Sequence, residues 1–183
     1  MRTPKLTRAQ RGRETWRDPR FSPPADGGRP ENALQGTLFR VNGTRSDAIL
    51  VPATYARMRL WRNTSIASLT AGQVATFPSG TLGYEWDEAP YNDFAPPGLM
   101  TLSSTTLDVS PSYYLQDYGA RTGSGVATHQ LTLYKHCSGA LVFGAGTIQW
   151  PWGLDSTHDR AALKVDLERP LSLVIGLPFE ESA

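Results

Sequence analysis

The hydrophobic positions of this chain come in short runs separated by turn residues, a pattern typical of strands rather than long helices. Strands are predicted over eight segments: Thr37–Val41, Ile49–Val51, Met58–Trp61, Thr81–Trp86, Leu99–Val109, Thr128–Tyr134, Ala140–Trp150 and Leu171–Ile175. Short helices or turns are predicted at Pro52–Arg57 and Thr64–Leu69. One longer helix is predicted to begin at the capping box Ser156–Asp159 and to end near Glu168, before Pro170.

The segment Ala140–Trp150 is apolar at both odd and even positions, which predicts a strand covered on both faces at the centre of a sheet. His136–Gly139 precedes it and predicts a hairpin turn. Gly144 and Gly146 inside the segment predict a bulge or a close approach of another part of the backbone. A total of 17 glycines and 14 prolines agrees with a chain rich in turns.

Length and charge narrow the class of protein. A chain of 183 residues is about one domain, and its net charge of +1 gives no overall field to attract nucleic acid or a membrane. Residues 1–15 are basic and predict a flexible tail, without the apolar stretch of a signal peptide. No apolar run approaches the roughly 20 residues that cross a bilayer. We expect no nucleic-acid or membrane partner, and the sequence does not indicate the cellular compartment.

The acidic segment Gly83–Glu88 is the first candidate for chemistry. On a strand Glu85 and Asp87 share one face, and Trp86 and Glu88 share the other. A carboxylate packed beside Tyr84 and Trp86 would be partly desolvated, which suits it for general acid or base work. The alternative interpretation is a solvated acidic strand end next to a proline turn.

The second candidate is the segment Gln149–Asp155, in which Trp150 and Trp152 flank a proline just after a predicted central strand. Ligands in open α/β sheets bind beyond the carboxyl ends of strands, so Trp150, Trp152 and Asp155 could form a pocket wall. The tryptophans could equally fasten the following helix to the sheet.

Other kinds of site find little support. His129, His136 and His158 are scattered without the spacing of metal ligands. There is no G-x-S-x-G nucleophile elbow, and Gly144–Gly146 lacks the context of a phosphate loop. The single cysteine, Cys137, excludes an internal disulfide framework and has no obvious base besides its neighbour.

Several long segments together resemble one protein family. They are WRDPRFSPPADGGRPENAL (Trp16–Leu34), FRVNGTRSDAILVPATYARMRLWRNTSIASL (Phe39–Leu69), GTLGYEWDE (Gly80–Glu88), LSSTTLDV (Leu102–Val109) and THQLTLYKHCSGALVFGAGTIQWPWGLDSTHD (Thr128–Asp159). They resemble the C-terminal domain of the N,N-dimethylformamidase large (beta) subunit and its bacterial relatives. Three regions are therefore predicted: a tail over residues 1–15, a partial domain of this family over 16–159, and a divergent C-terminal tail over 160–183.

The resemblance implies a fold and an activity. The implied fold is α/β, strand-rich and mixed: part of a class I glutamine amidotransferase-like core with β-rich additions. The implied reaction is hydrolysis of the C–N bond of a small amide. The family's iron is held by two tyrosines and a glutamate that the resemblance places upstream of this region, so no metal ligand is assigned here. Glu85, or alternatively Glu88, matches a further glutamate near that iron, with Tyr84 and Trp86 beside it.

Two departures from the family limit this expectation. The chain begins where the family domain is already under way, and residues 160–183 do not match its final helix. We therefore expect a fragment that is inactive alone, with a small amide as substrate and the rest of the parent domain, or further copies of the chain, as partner. The alternatives are a ligand- or carbohydrate-binding module of a large bacterial surface protein that uses Trp86, Trp150 and Trp152, and a purely structural domain.

Overall fold

The computed structural model describes Asp18 and residues 29–154, and this part of the chain is built mainly from strands. The strands are β1 (Leu38–Asn42), β2 (Leu50–Pro52), β3 (Val74–Thr76), β4 (Glu85–Glu88), β5 (Met100–Thr101), β6 (Thr105–Gln116), β7 (Arg121–His129), β8 (Thr132–Lys135) and β9 (Leu141–Gly144). One short α-helix, α1, spans Asn32–Gln35. Single 3-10 turns occur at Ala53–Tyr55, Arg59–Trp61, Ser65–Ser68, Asp117–Gly119 and Trp150–Gly153.

The strands form three sheets in which every described pair is antiparallel. The largest sheet has the order β4-β1-β6-β7, and the other two are β2-β3 and β5-β8-β9. The long hairpin of β6 and β7 is interrupted where the register shifts between Val109 and Tyr114, so that Pro111 lies in a bulge. Strand β4 lies at one edge of the largest sheet.

The predicted α/β class, with part of a glutamine amidotransferase-like core, is wrong for the described residues. These residues form a mainly β fold with antiparallel sheets and a single four-residue α-helix. An α/β core needs parallel strands joined by helices of a dozen or more residues. No helix of that length occurs among the described residues. The helix predicted from Ser156 lies outside them. No described helix has the length and hydropathy that a membrane crossing requires.

Two predicted strands also need correction. Met58–Trp61 contains a 3-10 turn in which the Trp61 amide donates to the Met58 carbonyl, so its backbone is satisfied locally. Of Ala140–Trp150 only Leu141–Gly144 forms a strand, and that strand is at a sheet edge rather than at the centre. The apolar residues that suggested two covered faces include Ile148, which is half-exposed.

Other predictions are confirmed. β1 occupies Leu38–Asn42, close to the predicted Thr37–Val41, and His136–Gly139 connects β8 and β9 as a hairpin turn. A side chain at Gly144 would meet the Gln35 carbonyl oxygen at 2.7 Å, so the predicted close approach is present. The final predicted strand, Leu171–Ile175, lies outside the described residues.

Four aromatic side chains pack in consecutive contacts through the core between the sheets. Phe77 packs between Trp61 and Trp150, with ring centroids 6.2 and 5.9 Å away, and Trp150 in turn contacts Phe143 at 5.5 Å. The indole N–H of Trp61 donates to the Leu102 carbonyl, so the buried ring keeps its hydrogen bond. This core fixes the position of the segment after β9, which forms one wall of the candidate site.

Candidate functional site

A cleft of about 330 Å³ lies along the edge of β4 that faces away from β1, and it contains two carboxylates, Glu85 and Asp87. The segment that follows β9 runs along this edge: the Asp87 amide donates to the Gly146 carbonyl at 2.8 Å, and the Ile148 amide donates to the Glu85 carbonyl at 3.4 Å. The residues that line the cleft are Gln35, Thr37, Phe39, Glu85, Asp87, Phe143, Gly144, Ala145, Gly146, Thr147 and Ile148. The cleft therefore lies where the end of β9 meets the edge of the largest sheet.

Glu85 is the carboxylate that the cleft leaves available. Its side chain is half-buried, and within the described residues its carboxylate makes no hydrogen bond and no ion pair. Alternation along β4 places it on the same face as Asp87. Glu85 can therefore accept or deliver a proton in the cleft without first breaking a contact with the protein.

Asp87 is held in place by neighbours from the start of the described chain. The hydroxyl of Thr37 donates to Oδ2 of Asp87 at 2.7 Å, and the amide nitrogen of Gln35 lies 3.4 Å from the same oxygen. These donors hold the carboxylate in a fixed orientation. Asp87 is suited to position a ligand or a neighbouring group.

Glu88, the alternative candidate, lies on the opposite face of β4 and is fully engaged. Its Oε2 accepts from Nε of Arg40 at 2.6 Å, and its Oε1 accepts from the Thr128 amide at 2.9 Å. Arg40 also donates to the Leu115 carbonyl. This network ties β1, β6 and β7 to β4, and Glu88 is not among the residues that line the cleft.

The aromatic candidates lie in three different environments. Tyr84 is half-exposed at the start of β4, whereas Trp86 is fully buried on the face opposite Glu85. Trp150 is only 8% exposed and lies behind Phe143, which itself faces the cleft. Trp152 packs against Gly80. None of the four lines the cleft, and Asp155 lies outside the described residues.

The iron site that the family resemblance implies, with two tyrosines and a glutamate, differs from the metal sites that His, Cys, Asp and Glu side chains form. No group of three His, Cys, Asp or Glu side chains in this part of the chain could hold a metal ion. His129 is buried in β7, His136 contacts Ser138 and Cys137 in the exposed hairpin turn, and His158 lies outside the described residues. The prediction that iron is held by residues upstream stays a prediction.

A second, larger concavity of about 650 Å³ lies between the 3-10 turn Ala53–Tyr55 and the residues that lead into β3. Its lining is Pro52, Ala53, Thr54, Arg57, Leu69, Thr70, Ala71, Gly72, Gln73 and Val74. Arg57 is the one ionisable residue among them, so this concavity offers no acid or base that titrates near neutral pH. The smaller cleft is the better candidate for chemistry despite its size.

Sequence patterns singled out Glu85 but gave no indication of Gln35 and Thr37. Thr37 is 50 residues from Asp87, and a lone threonine at the start of a strand carries no local signal of such a contact. Glycines at 144 and 146 did indicate a close backbone approach, and both line the cleft. The wall formed by Gly144 and Gly146 could therefore be predicted in part, but the contacts of Gln35 and Thr37 with Asp87 could not.

Comparison with known proteins agrees with the resemblance. A family model described as "N,N-dimethylformamidase beta subunit-like, C-terminal" matches residues 2–162, a range that contains every residue of the cleft. Neither curated proteins nor solved structures gave a match. The matched range covers well over half of the chain, and the chain therefore belongs to the N,N-dimethylformamidase beta subunit-like, C-terminal family.

Proposed function

We propose that this chain is part of an amidohydrolase that cleaves the C–N bond of a small amide, such as a dialkylformamide, with Glu85 moving the proton. Family membership supports the reaction class. The observation that carries the choice of residue is the contrast between two glutamates of β4. Glu85 lies in a cleft without a side-chain partner among the described residues, whereas Glu88 is occupied by Arg40 and the Thr128 amide.

The proposed role of Glu85 is that of general base and then general acid. Water attacks the carbonyl carbon of the amide while the Glu85 carboxylate takes one of its protons. The C–N bond then breaks as Glu85 delivers that proton to the departing nitrogen, which leaves a carboxylic acid and an amine. Transfer of this kind needs a heavy-atom approach of about 2.6–3.2 Å, which a small ligand in the cleft could reach.

The cleft has the chemistry that a small amide needs. Its volume of about 330 Å³ is at the lower end of ligand pockets, which run from about 300 Å³ upward. Phe143 adds apolar surface suited to N-alkyl groups, and Asp87, oriented by the Thr37 hydroxyl, lines the cleft on the same side as Glu85. A large polymer such as a polysaccharide has no comparable support, because Trp86 and Trp150 are buried.

A carboxylate by itself does not account for amidase activity. Proton transfer by one positioned side chain contributes on the order of 10²–10⁴-fold, whereas enzymes accelerate reactions by about 10⁶-fold or more. The resemblance assigns the remaining stabilisation to an iron whose ligands it places upstream of this region. We therefore expect the isolated chain to show no turnover of N,N-dimethylformamide and to purify without stoichiometric iron. Measurable turnover, or one tightly held iron per chain, would overturn this part of the proposal.

Ligand binding tests the cleft without requiring turnover. The ¹⁵N-labelled full chain is titrated with N,N-dimethylformamide, and the backbone amide shifts are followed by NMR. We expect weak, saturable binding at millimolar concentration that moves the amides of Glu85, Ala145 and Thr147. A ligand of so few atoms is not expected to bind much more tightly.

Matched variants identify the carboxylate involved. Glu85→Gln keeps the size of the side chain and removes its charge, and we expect it to change the affinity or the pH dependence of binding. Glu88→Gln should leave both unchanged in the fraction that remains folded. Shifts confined to the concavity lined by Pro52–Val74, or an unchanged titration of Glu85→Gln, would contradict the assignment.

A further inference from the structure

Behind the cleft wall lies a buried imidazole that the proposed chemistry does not use. His129 is the last residue of β7 and is completely buried. Its Nε2 lies 2.9 Å from the Ala145 carbonyl oxygen. Because a carbonyl oxygen only accepts hydrogen bonds, Nε2 carries the proton and donates it. Nδ1 is then an acceptor, and it has no hydrogen-bond partner among the described residues.

The ring of His129 is also fitted closely to the residues on either side of it. It lies edge-on to the Trp86 indole, with ring centroids 6.1 Å apart and an interplanar angle of 82°. A Cβ atom at Gly146 would lie 3.1 Å from Nε2 of His129, and Gly146 has a φ of +60°. A residue larger than glycine at position 146 would have a strained backbone conformation and would clash with the imidazole. The close contact therefore limits where both the ring and the Gly146 backbone can lie.

The Ala145 carbonyl belongs to the segment that faces Glu85. We call residues 144–148 the wall strip. Two hydrogen bonds attach the wall strip to β4, from the Asp87 amide and from the Ile148 amide. The second is long, at 3.4 Å. Outside β4, the Thr147 hydroxyl donates to the Thr81 carbonyl at 2.9 Å, and the bond from His129 attaches the strip to β7.

We propose that His129 is the positioning residue of the cleft: its neutral imidazole, as an Nε2–H donor to the Ala145 carbonyl, fixes the wall strip opposite the Glu85 carboxylate. His129 does not touch the cleft ligand, so its effect passes through the backbone of Ala145 and Gly146. The proposal concerns the geometry of the chain itself and does not depend on amidase activity.

The arrangement also makes the attachment sensitive to acid. Burial lowers the pKa of His129 to about 4, although its hydrogen bond to the Ala145 carbonyl acts in the opposite direction. A proton on Nδ1 would place a charge in a buried site without an acceptor. The acids on the elements around the ring are Glu85, Asp87 and Glu88 of β4 and the exposed Asp108 of β6, while the wall strip has none. The Nε2–H donor is kept in the imidazolium, so it is the cost of the buried charge that favours opening of the site as the pH falls toward 4, while at neutral pH the ring is uncharged and stays in place.

Amide hydrogen exchange of the full chain, followed by NMR, tests this proposal without any ligand. The reporters are the amides of Asp87 and Ile148, which join the wall strip to β4. The control is the Leu102 amide, which donates to the Leu131 carbonyl at 2.8 Å outside the cleft. His129→Leu removes the donor and keeps apolar volume, whereas His129→Gln retains a side-chain N–H group that can reach the Ala145 carbonyl.

We expect His129→Leu to lower the protection of Asp87 and Ile148 on the order of tenfold, with Leu102 little changed, since one buried hydrogen bond is lost. His129→Gln should restore most of that protection. In the wild type the protection of the two reporters should fall between neutral pH and pH 4 more than that of Leu102. Should His129→Leu fail to fold, the wild-type pH series decides the matter. Equal loss at all three amides, no rescue by glutamine, or reporters that follow Leu102 at every pH would overturn the proposal.

Discussion

Each face of β4 carries a glutamate, but the two glutamates have different surroundings and different roles. On the cleft face, Glu85 has no side-chain partner within the part of the chain that the structure describes, and Asp87 is oriented by Thr37 and Gln35. On the packed face, Trp86 is buried against His129, and Glu88 joins Arg40 to the Thr128 amide. Glu85 and Glu88 are three residues apart and chemically identical, yet one is available to a ligand and the other holds strands together. An acidic cluster therefore has to be divided by face before its members are assigned to chemistry.

The packed face should show the largest dependence on pH, because His129 stays neutral in the folded chain at pH values where the unfolded chain takes up a proton. Its pKa falls from 6.5 to about 4 on folding, so the free energy of unfolding should decrease as the pH drops from about 6.5 to about 4. A shift of this size corresponds to roughly 3 kcal/mol. Urea unfolding at several pH values measures it, and His129→Gln should lack this share of the pH dependence. An identical pH dependence in the variant would show that His129 is not responsible.

The second largest effect should be a difference in unfolding free energy between variants of the two glutamates. Glu88→Ala leaves the Arg40 guanidinium and the Thr128 amide without their acceptor in a partly buried position. We expect a loss of about 2 kcal/mol in the free energy of unfolding, less than the roughly 3–5 kcal/mol of a fully buried pair. Glu85→Ala breaks no hydrogen bond or ion pair among the described residues and should stay within about 0.5 kcal/mol of the wild type. Equal losses in urea unfolding would contradict the division of the two faces.

A smaller effect is expected at Gly144 in the cleft wall. A methyl group there would meet Oγ1 of Thr132 at 2.5 Å and the Gln35 carbonyl at 2.7 Å. Because a backbone atom is involved, part of the wall has to shift, and Gly144→Ala should cost about 1–2 kcal/mol. The double variant with Thr132→Ala should recover part of the loss in thermal or urea unfolding. No recovery would indicate that the Gln35 carbonyl alone limits the space.

Local signals in the sequence predicted some elements of this fold well. The His136–Gly139 turn and β1 were predictable because short apolar runs next to turn residues have few other solutions. The β6–β7 hairpin was missed beyond Val109, because Ser110, Pro111 and Ser112 look like the end of a strand. In the fold they form a bulge, which accommodates the proline, and the strand continues to Gln116.

The candidate site was predictable only where it is local. Alternation alone placed Glu85 and Asp87 on one face, and that prediction holds in β4. The wall strip was attributed to a central strand, because its apolar residues gave no indication that β9 ends at Gly144 and lies at a sheet edge. The contacts of Asp87 with Thr37, and of His129 with Ala145, join distant parts of the chain and depend on how the sheets meet. No pattern of hydrophobic positions specifies those contacts.

Carboxyl footprinting of the full chain tests most directly whether Glu85 is the available acid. A water-soluble carbodiimide and a small amine label accessible carboxyl groups at near-neutral pH, and peptide mass spectrometry measures the rate at each residue. We predict that Glu85 reacts several times faster than Glu88, and that Glu88 approaches that rate only after urea unfolds the chain. Equal rates in the folded chain, or faster labelling of Glu88, would contradict the assignment of Glu85 to the cleft and of Glu88 to the framework.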